Sequence, residues 1–551
     1  MPTLLRTTVL VLLSLQSVAT WWPTEAQTDA LRHQRLSHSP VRSAEDSSQH
    51  FIESAEHNHD YQGELDTLTE LCSTLNVLQT TWYDLSRGRW PTSIDWTGAV
   101  LNTHLVASLN ELSNSGQDGI HDLVNYYFAH TTGYYFGEHA ASLRQQAYDD
   151  MLWVVLSWLE SIKFIKAHTI KYHERAWYGE QYISVFAGRA KSFYNTTTFG
   201  WSDDLCEGGM TWNPALEPYK NTITNELFIA ASVGMYLYFP DHQNTSLSLA
   251  SRQQLLVSAT HGYDWLVSAN MTNKQGLYVD GFHIKGWNKN GTGGTACTDR
   301  NEMVYTYNQG VILSGLRGLW EATGNATYLN DGYRLIRRTI LSTGWNLTQS
   351  RPTTNASWHG LGRKGILEDY CDAAGSCDQN GHTFKSIYFH HLGQFCSPLP
   401  VEAFIPGFTF AASAALRKSH ARSCKAYGRW VKLNALAALR TRDERGRIGM
   451  WWGANESITE SAPLPVGAVD YRNGDVHVKD IRYSKRIGED MTATQKQRQK
   501  TSYAGDKDSK SAAQHQISKH DWNDRGRGRT VESHSGGVAV LRCLHQMFVA
   551  D

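Results

Sequence analysis

Several compact enzyme signatures are missing from this 551-residue sequence. It has no Gly-x-Ser-x-Gly elbow, no Walker phosphate loop, no His-Glu-x-x-His helix and no Cys-x-x-Cys pair. Those absences argue against the familiar elbow-type serine hydrolases, P-loop nucleotidases, zinc proteases, zinc ribbons and thioredoxin-type redox sites. A surplus of one charge is missing too. Lys+Arg number 52 and Asp+Glu 53, a net charge of −1. A nucleic-acid binder normally carries a basic excess, so no nucleic-acid partner is expected. No apolar run approaches the twenty residues that a membrane span requires. Strand-like alternation is scarce, and no strict internal repeat is visible.

What is present suits an exported, folded protein. Hydrophobic residues make up 41% and charged residues 19%, enough to bury a core. Arg6 precedes a short apolar stretch, Val9–Leu15, followed by small-residue exits at Ser17-Val18-Ala19 and Thr24-Glu25-Ala26. That pattern reads as a signal peptide over residues 1–26. The closing residues Gln546–Asp551 do not form a GPI-type tail, so no membrane anchor is expected. Eight Asn-x-Ser/Thr sequons, at Asn195, Asn244, Asn270, Asn290, Asn325, Asn346, Asn355 and Asn455, fit a glycoprotein. Eight cysteines suggest disulfides in an oxidising compartment, and Cys371 and Cys377 stand close enough to staple one loop.

The chain divides by composition. Residues 27–60 are polar and rich in His and Ser, as a flexible leader would be. From residue 61 onward, apolar residues recur at three- and four-residue spacing. Examples are Glu64–Gln79, Val100–Leu112, Ala147–His168, Asn221–Phe239, Ser251–Ala269, Asn308–Thr323, Tyr328–Ser342, Val401–His420 and Ser423–Arg440. Nine or more helices with few strands predict an all-α toroid of helical hairpins, with a solenoid as the alternative. Arg472–Arg527 breaks the pattern with 13 Lys/Arg, 8 Asp/Glu and few large apolar residues. It reads as a disordered insertion in a domain spanning 61–551. Helical character returns at Thr530–Met547.

The chemistry centres on Tyr148-Asp149-Asp150-Met151-Leu152-Trp153. Two carboxylates at the head of an apolar helix can serve simply as caps that answer the helix dipole. They can also serve as a glycosidase pair, one as acid and one as nucleophile. Adjacent residues have Cα atoms about 3.8 Å apart, so their carboxyls reach the roughly 5 Å spacing of retaining enzymes easily. Crowding would split their ionisation, leaving one protonated and one charged. Asp203-Asp204 is a second such pair in a polar loop, so the dipeptide alone decides nothing. Asp378-Gln379-Asn380-Gly381 reads as a turn: it lacks the Glu that would complete a calcium loop. Adjacent His390-His391 face different directions on a regular element, so no metal site is expected there.

Around the Asp149 pair the chain resembles glycoside hydrolase family 76, the endo-α-1,6-mannanases, and fungal members in particular. The matching stretches are Asp95-Trp96-Thr97-Gly98-Ala99, Asp149–Trp153, Gly208-Gly209-Met210-Thr211-Trp212-Asn213, Tyr219–Leu227, Thr306-Tyr307-Asn308-Gln309-Gly310, Phe384-Lys385-Ser386-Ile387 and Thr530–Gly537. They follow the family's order over residues 72–471 and 529–547. The resemblance implies an (α/α)6 barrel with a cleft at one end and a retaining mechanism without metal or cofactor. It implies Asp149 as nucleophile and Asp150 as general acid/base.

Further substrate-binding candidates come with structural alternatives. Trp153 and Trp212 would stack on sugars or pack the core. Asn213, Lys220, Asn221, Asn225 and Glu226 would contact substrate or serve as caps and internal hydrogen bonds. Tyr307, Asn308 and Gln309 open a helix. Lys385 would touch substrate or form a buried ion pair, and Trp452 would wall the cleft. The expected function is a secreted, monomeric endo-α-1,6-mannosidase acting on mannan or cell-wall mannoprotein. The missing GPI tail favours released hydrolysis over wall cross-linking. The rivals are a mannan transglycosylase using the same two aspartates, a non-catalytic mannan-binding wall protein, and a polysaccharide lyase. Retention of both aspartates weighs against the binding protein, and the neutral net charge weighs against the lyase.

Overall fold

The computed structural model describes residues 65–116, 119–174, 177–240, 248–288, 290, 292–454, 462–473 and 521–549. The signal stretch, the leader and the middle of the charge-rich segment lie outside the described residues.

Six helices form a closed inner ring: α2 (Asp95–Ser115), α4 (Tyr148–Lys171), α6 (Thr222–Tyr238), α8 (Val311–Thr323), α10 (Gln379–Cys396) and α13 (Val531–Val549). Each packs on the next, and α13 returns to α2. Around them lie α1 (Thr67–Trp82), α3 (Ile120–Gly137), α5 (Ile183–Thr197), α7 (Leu249–Ser268), α9 (Ala326–Leu341) and the consecutive α11 (Ala414–Lys425) and α12 (Gly428–Leu439). This is the (α/α)6 barrel.

Sequence decides which ring a helix joins. On α6 every residue from Thr222 to Leu237 is buried, apolar and small side chains facing every direction. On α9 only one stripe is buried, Tyr328, Leu329, Leu335, Ile336 and Ile340 among it, and charged residues cover the rest. A helix apolar all round belongs in the interior; an amphipathic one can face water.

The six inner helices run in the same direction. Glu532, in the first turn of α13, accepts from Thr97 of α2 at 2.8 Å and from Gln379 of α10 at 2.8 Å, both also in first turns. Asp95, at the start of α2, accepts from Gln146 just before α4. The C-terminal halves of the same helices line one cavity. All six amino termini therefore gather at one end, where their dipoles favour negative charge. A three-stranded antiparallel sheet caps that end: β1 (Tyr219–Asn221), β2 (Gly281–Ile284) and β3 (Cys297–Asn301), in that order. Disulfides join Cys206 to Cys297, Cys371 to Cys377 and Cys396 to Cys424, and Cys72 and Cys543 are buried thiols.

Three expectations are corrected. Val401–Ser413 is irregular rather than helical, and α11 begins only at Ala414. Pro406 stands in that stretch, and a proline lacks the amide a helix interior uses. Asp378–Gly381 is a helix start rather than a free turn: Asp378 caps α10 by accepting from the Gly381 amide at 3.0 Å. The expected insertion 472–527 is too wide, because its two ends belong to the fold. Arg472 and Asn473 pack at the amino-terminal end of the barrel. At the other edge, Asn523 exchanges hydrogen bonds with the Trp451 backbone, Arg525 donates to Ala373 O, and Arg527 donates to Gln379 Oε1. A charge count does not distinguish arginines that bond to the fold from solvated ones.

Candidate active site

Asp149 and Asp150 occupy the first turn of α4, at the end where the inner amino termini gather. Ala147 provides no capping side chain, so Asp150 Oδ2 reaches back to accept from the Ala147 amide at 3.3 Å. Asp149 Oδ1 accepts from the Asp150 amide at 3.1 Å, and its Oδ2 accepts from Trp212 Nε1 at 3.0 Å. The pair thus caps the helix and still presents two carboxyls.

The two acids differ. Burial raises Asp149 above the usual carboxylate range, while Arg472, the Asp150 amide and Trp212 pull it back. Asp150 is raised much further, first by burial and then by the neighbouring Asp149 charge. Asp149 therefore ionises first, and Asp150 keeps its proton to higher pH.

Trp212 reaches Asp149 through a constrained loop. Its amide donates to Tyr219 O and its carbonyl accepts from the Tyr148 amide, both at 2.8 Å. Upstream, Gly209 has φ +83°, and a Cβ there would meet the Trp265 ring at 2.5 Å, so only glycine fits. Lys220 Nζ donates to Ser202 O and Gly209 O, fastening that loop, and burial lowers its pKa to about 8.

The remaining candidates separate into two groups. Some are consumed by the fold. Asn225 makes three bonds, to the Met210 amide, Met210 O and Asn221 O. Gln309 bonds the Tyr278 amide, Tyr278 O and Tyr305 O. Lys385 is buried on Asp372 at 2.5 Å, beneath the Trp452 ring, which is the ion-pair alternative. Trp452 donates to Gly449 O and packs on Phe389. Trp153 stacks on Trp96, with ring centres 5.7 Å apart. Asn213 holds its own turn by accepting from the Ala215 amide.

Others are buried without a protein partner: both side-chain atoms of Asn221, both of Asn308, and the Tyr307 hydroxyl. Tyr307 stacks on Phe384, and the charges of Arg472, Asp280, Asp149 and Glu226 all act on it. Glu226 lies fully buried beside the Ile312 amide at the start of α8, and burial raises its pKa well above the usual range. Orphaned buried polar groups are rare in folded proteins, and a substrate rich in hydroxyls would satisfy them.

Two residues of the cluster escaped sequence reasoning. Asp280 is buried at the edge of β2; one carboxyl oxygen accepts from Tyr219 and Asn301, and the other has no partner. Arg472 lies with Nη2 3.9 Å from Asp149 Oδ2 and its guanidinium 4.7 Å over the Trp212 ring. No motif marks either, and Arg472 was hidden at the margin of the charge-rich stretch. The second acidic pair, Asp203-Asp204, is exposed, with Asp203 bonded to Trp201. Among the described residues, the one cluster with metal-ligand proximity is Cys371, Asp372 and Cys377, and a disulfide uses both sulfurs.

Comparisons with known proteins agree with this architecture. The family model described as glycosyl hydrolase family 76 matches residues 53–440. A Saccharomyces cerevisiae protein named mannan endo-1,6-alpha-mannosidase DFG5 is 28% identical over 213 residues, 37% of this chain and 38% of the relative. The Saccharomyces cerevisiae protein named mannan endo-1,6-alpha-mannosidase DCW1 is 27% identical over 220 residues, 38% of this chain and 40% of that relative. The chain therefore spans about two fifths of the length of the curated relatives it matches. Among solved structures, Dfg5 from Chaetomium thermophilum in complex with glucosamine aligns with TM-score 0.51 and 14% identity, over 89% of this chain and 93% of that one. An α-1,6-mannanase of Salegentibacter sp. HEL1_6, an inactive variant with two consecutive aspartates replaced by alanine, in complex with α-1,6-mannotetrose, aligns with TM-score 0.50 and 14% identity. That alignment covers 88% of this chain and all of the other. With the family model covering well over half of the sequence and the barrel matching throughout, the chain belongs to glycosyl hydrolase family 76.

Proposed function

We propose that this protein is a retaining endo-α-1,6-mannosidase acting on mannan or mannoprotein glycans outside the cell. The observation that carries the reading is the Asp149–Asp150 pair, Asp149 buried and Asp150 half-buried, in the first turn of α4 at the end of the barrel where the inner amino termini gather. Asp149, charged, attacks the anomeric carbon of a mannosyl unit as the bond to the leaving 6-oxygen breaks. Asp150 gives its proton to that oxygen. Asp150 then takes a proton from water, whose oxygen displaces Asp149 and restores both carboxyls. Asn221, Asn308, Tyr307 and Asp280 offer unused hydrogen-bonding atoms for sugar hydroxyls, and Trp212 offers a ring edge beside the nucleophile. The relatives named as mannan endo-1,6-alpha-mannosidases, and the paired aspartates of the inactive mannanase, support the assignment. The signal stretch and the three disulfides support export. Among the described residues, no helix is long and apolar enough to cross a membrane.

The test is incubation with linear α-1,6-mannan, with products separated by mass, beside Asp149→Asn. Short mannooligosaccharides from wild type alone support hydrolysis. Products longer than the supplied chains point to transfer. An unchanged mannan with a folded protein contradicts both.

A further inference from the structure

We propose that Arg472, carried on a strap of residues 462–473, is a positioning residue that keeps Asp149, rather than Asp150, as the ionised member of the pair. The proposal rests on the reading of Asp149 as nucleophile. Residues 462–473 lie beyond the stretch matched by the family model, which ends at 440.

The strap is tied down on both sides of Arg472. On one side, the Glu302 amide donates to Gly467 O, Asn301 Oδ1 accepts from the Val469 amide at 2.8 Å, and Asn301 Nδ2 donates to Val469 O at 2.9 Å. Tyr305 donates to Asp470 Oδ1 at 2.7 Å. Asp470 then accepts from the amides of Arg472 and Asn473, closing a tight turn that aims the arginine inward. On the other side, Asn473 Oδ1 accepts from the Asp378 amide at the cap of α10 at 3.0 Å. Five hydrogen bonds to two segments, residues 301–305 and the cap of α10, place one guanidinium.

The charge of Arg472 acts on both acids, but the contacts it makes lie on the Asp149 side. The guanidinium covers the Trp212 indole, and the same indole donates its N–H to Asp149 Oδ2. The cation approaches that same oxygen at 3.9 Å, so a cation and a dipole converge on Asp149, while the Asp150 carboxyl accepts from the Ala147 amide. An opposite charge at that range favours the charged form of the carboxyl it faces. The other ionisable groups around Arg472 and the pair are Asp95 from α2, Asp280, Tyr219 and His283 from the sheet, Tyr305 and Tyr307 ahead of α8, and Asp470 and Tyr471 on the strap. The His283 ring packs on Tyr219 at 4.2 Å and on Tyr471 at 5.6 Å, and Arg472 is the cation that reaches Asp149.

The experiment compares wild type, Arg472→Lys and Arg472→Gln as full chains. The acidic limb of kcat/KM on α-1,6-mannan reports ionisation of Asp149. Removing the cation raises the pKa of Asp149, so the limb of Arg472→Gln should move upward by about one pH unit. Arg472→Lys, which keeps the charge but loses the planar stack, should move less. A limb that stays in place while kcat/KM falls would overturn the proposal and leave Arg472 a packing or substrate contact. Carbon-13 NMR of aspartate-labelled protein, with the Asp149 signal identified by its loss in Asp149→Asn, reads the same ionisation without turnover. If wild type fails to cleave mannan, that titration still decides: an upward shift in Arg472→Gln supports the proposal, and an unchanged midpoint overturns it.

Discussion

The two ends of the inner helical ring are built from the same six helices and treat polar groups in opposite ways. At the carboxyl-terminal end, a cavity of about 280 Å³ is lined by Glu160, Lys163, Arg317, Glu321, Gln394 and their neighbours. There the charges answer one another. Lys163 bonds Glu160 at 2.8 Å and Gln394 at 3.0 Å, and Gln394 closes the triangle back to Glu160. Arg317 holds Glu321 and three backbone carbonyls. At the amino-terminal end, Asn221, Asn308, the Tyr307 hydroxyl and one oxygen of Asp280 are buried with no protein partner. The difference shows that a concentration of charge does not make a site. At the amino-terminal end, unspent hydrogen-bonding atoms stand with a carboxylate pair where helix dipoles favour an anion, whereas the unpartnered His104 ring nitrogens and Arg542 Nε stand beside histidines.

The largest expected effect breaks the amino-terminal end outright. Asp149→Asn and Asp150→Asn should each lower kcat on mannan by a factor on the order of a hundred to ten thousand, because the amide can neither attack nor shuttle a proton. Circular dichroism should show the fold retained. At the other end, Lys163→Met should leave kcat/KM within about twofold, since that partly exposed ion pair contributes little and lies far from the pair. A large loss of activity from Lys163→Met would mean the two ends are coupled.

Lys385→Met probes a residue of the catalytic half that the fold has consumed. It leaves Asp372 buried without its cation, and we expect a loss of about 3 to 5 kcal/mol in denaturant unfolding. Adding Asp372→Leu should recover part of that loss. An activity defect with unchanged stability would place Lys385 on the substrate instead.

A finer test separates asparagines that look alike in sequence. Asn225→Ala cuts three buried hydrogen bonds and should cost about 1 to 3 kcal/mol of stability. Asn308→Ala removes atoms with no partner, so stability should change little while KM rises. Equal stability losses in both variants would erase the distinction between spent and unspent polar groups.

These asparagines mark where the sequence stops being legible. The Asp149-Asp150 pair, the helical periodicity of α4 and α6, and the order of the flanking motifs were enough to reach the barrel and its family. Asn221 and Asn225 lie one helical turn apart in the same polar run, and nothing in the run tells which is spent on Met210 and which is not. Bond partners come from distant segments, 15 residues away for Asn225 and 31 for Gln309. Arg472 was obscured for a related reason. It opens a stretch dense in charged residues, and only the tertiary turn set by Asp470 shows that this arginine points inward. Val401–Ser413 failed differently: apolar spacing suggested helix, and Pro406 vetoed it.

The most direct test of the central claim is the stereochemistry of the first product. Proton NMR, recorded in the opening minutes of α-1,6-mannan cleavage before the free sugar equilibrates, reads the configuration of the new reducing end. Attack by Asp149 followed by water inverts the anomeric carbon twice, so the account predicts the α-anomer first. A β-anomer first would mean a single displacement by water, and would contradict the role of Asp149 as nucleophile.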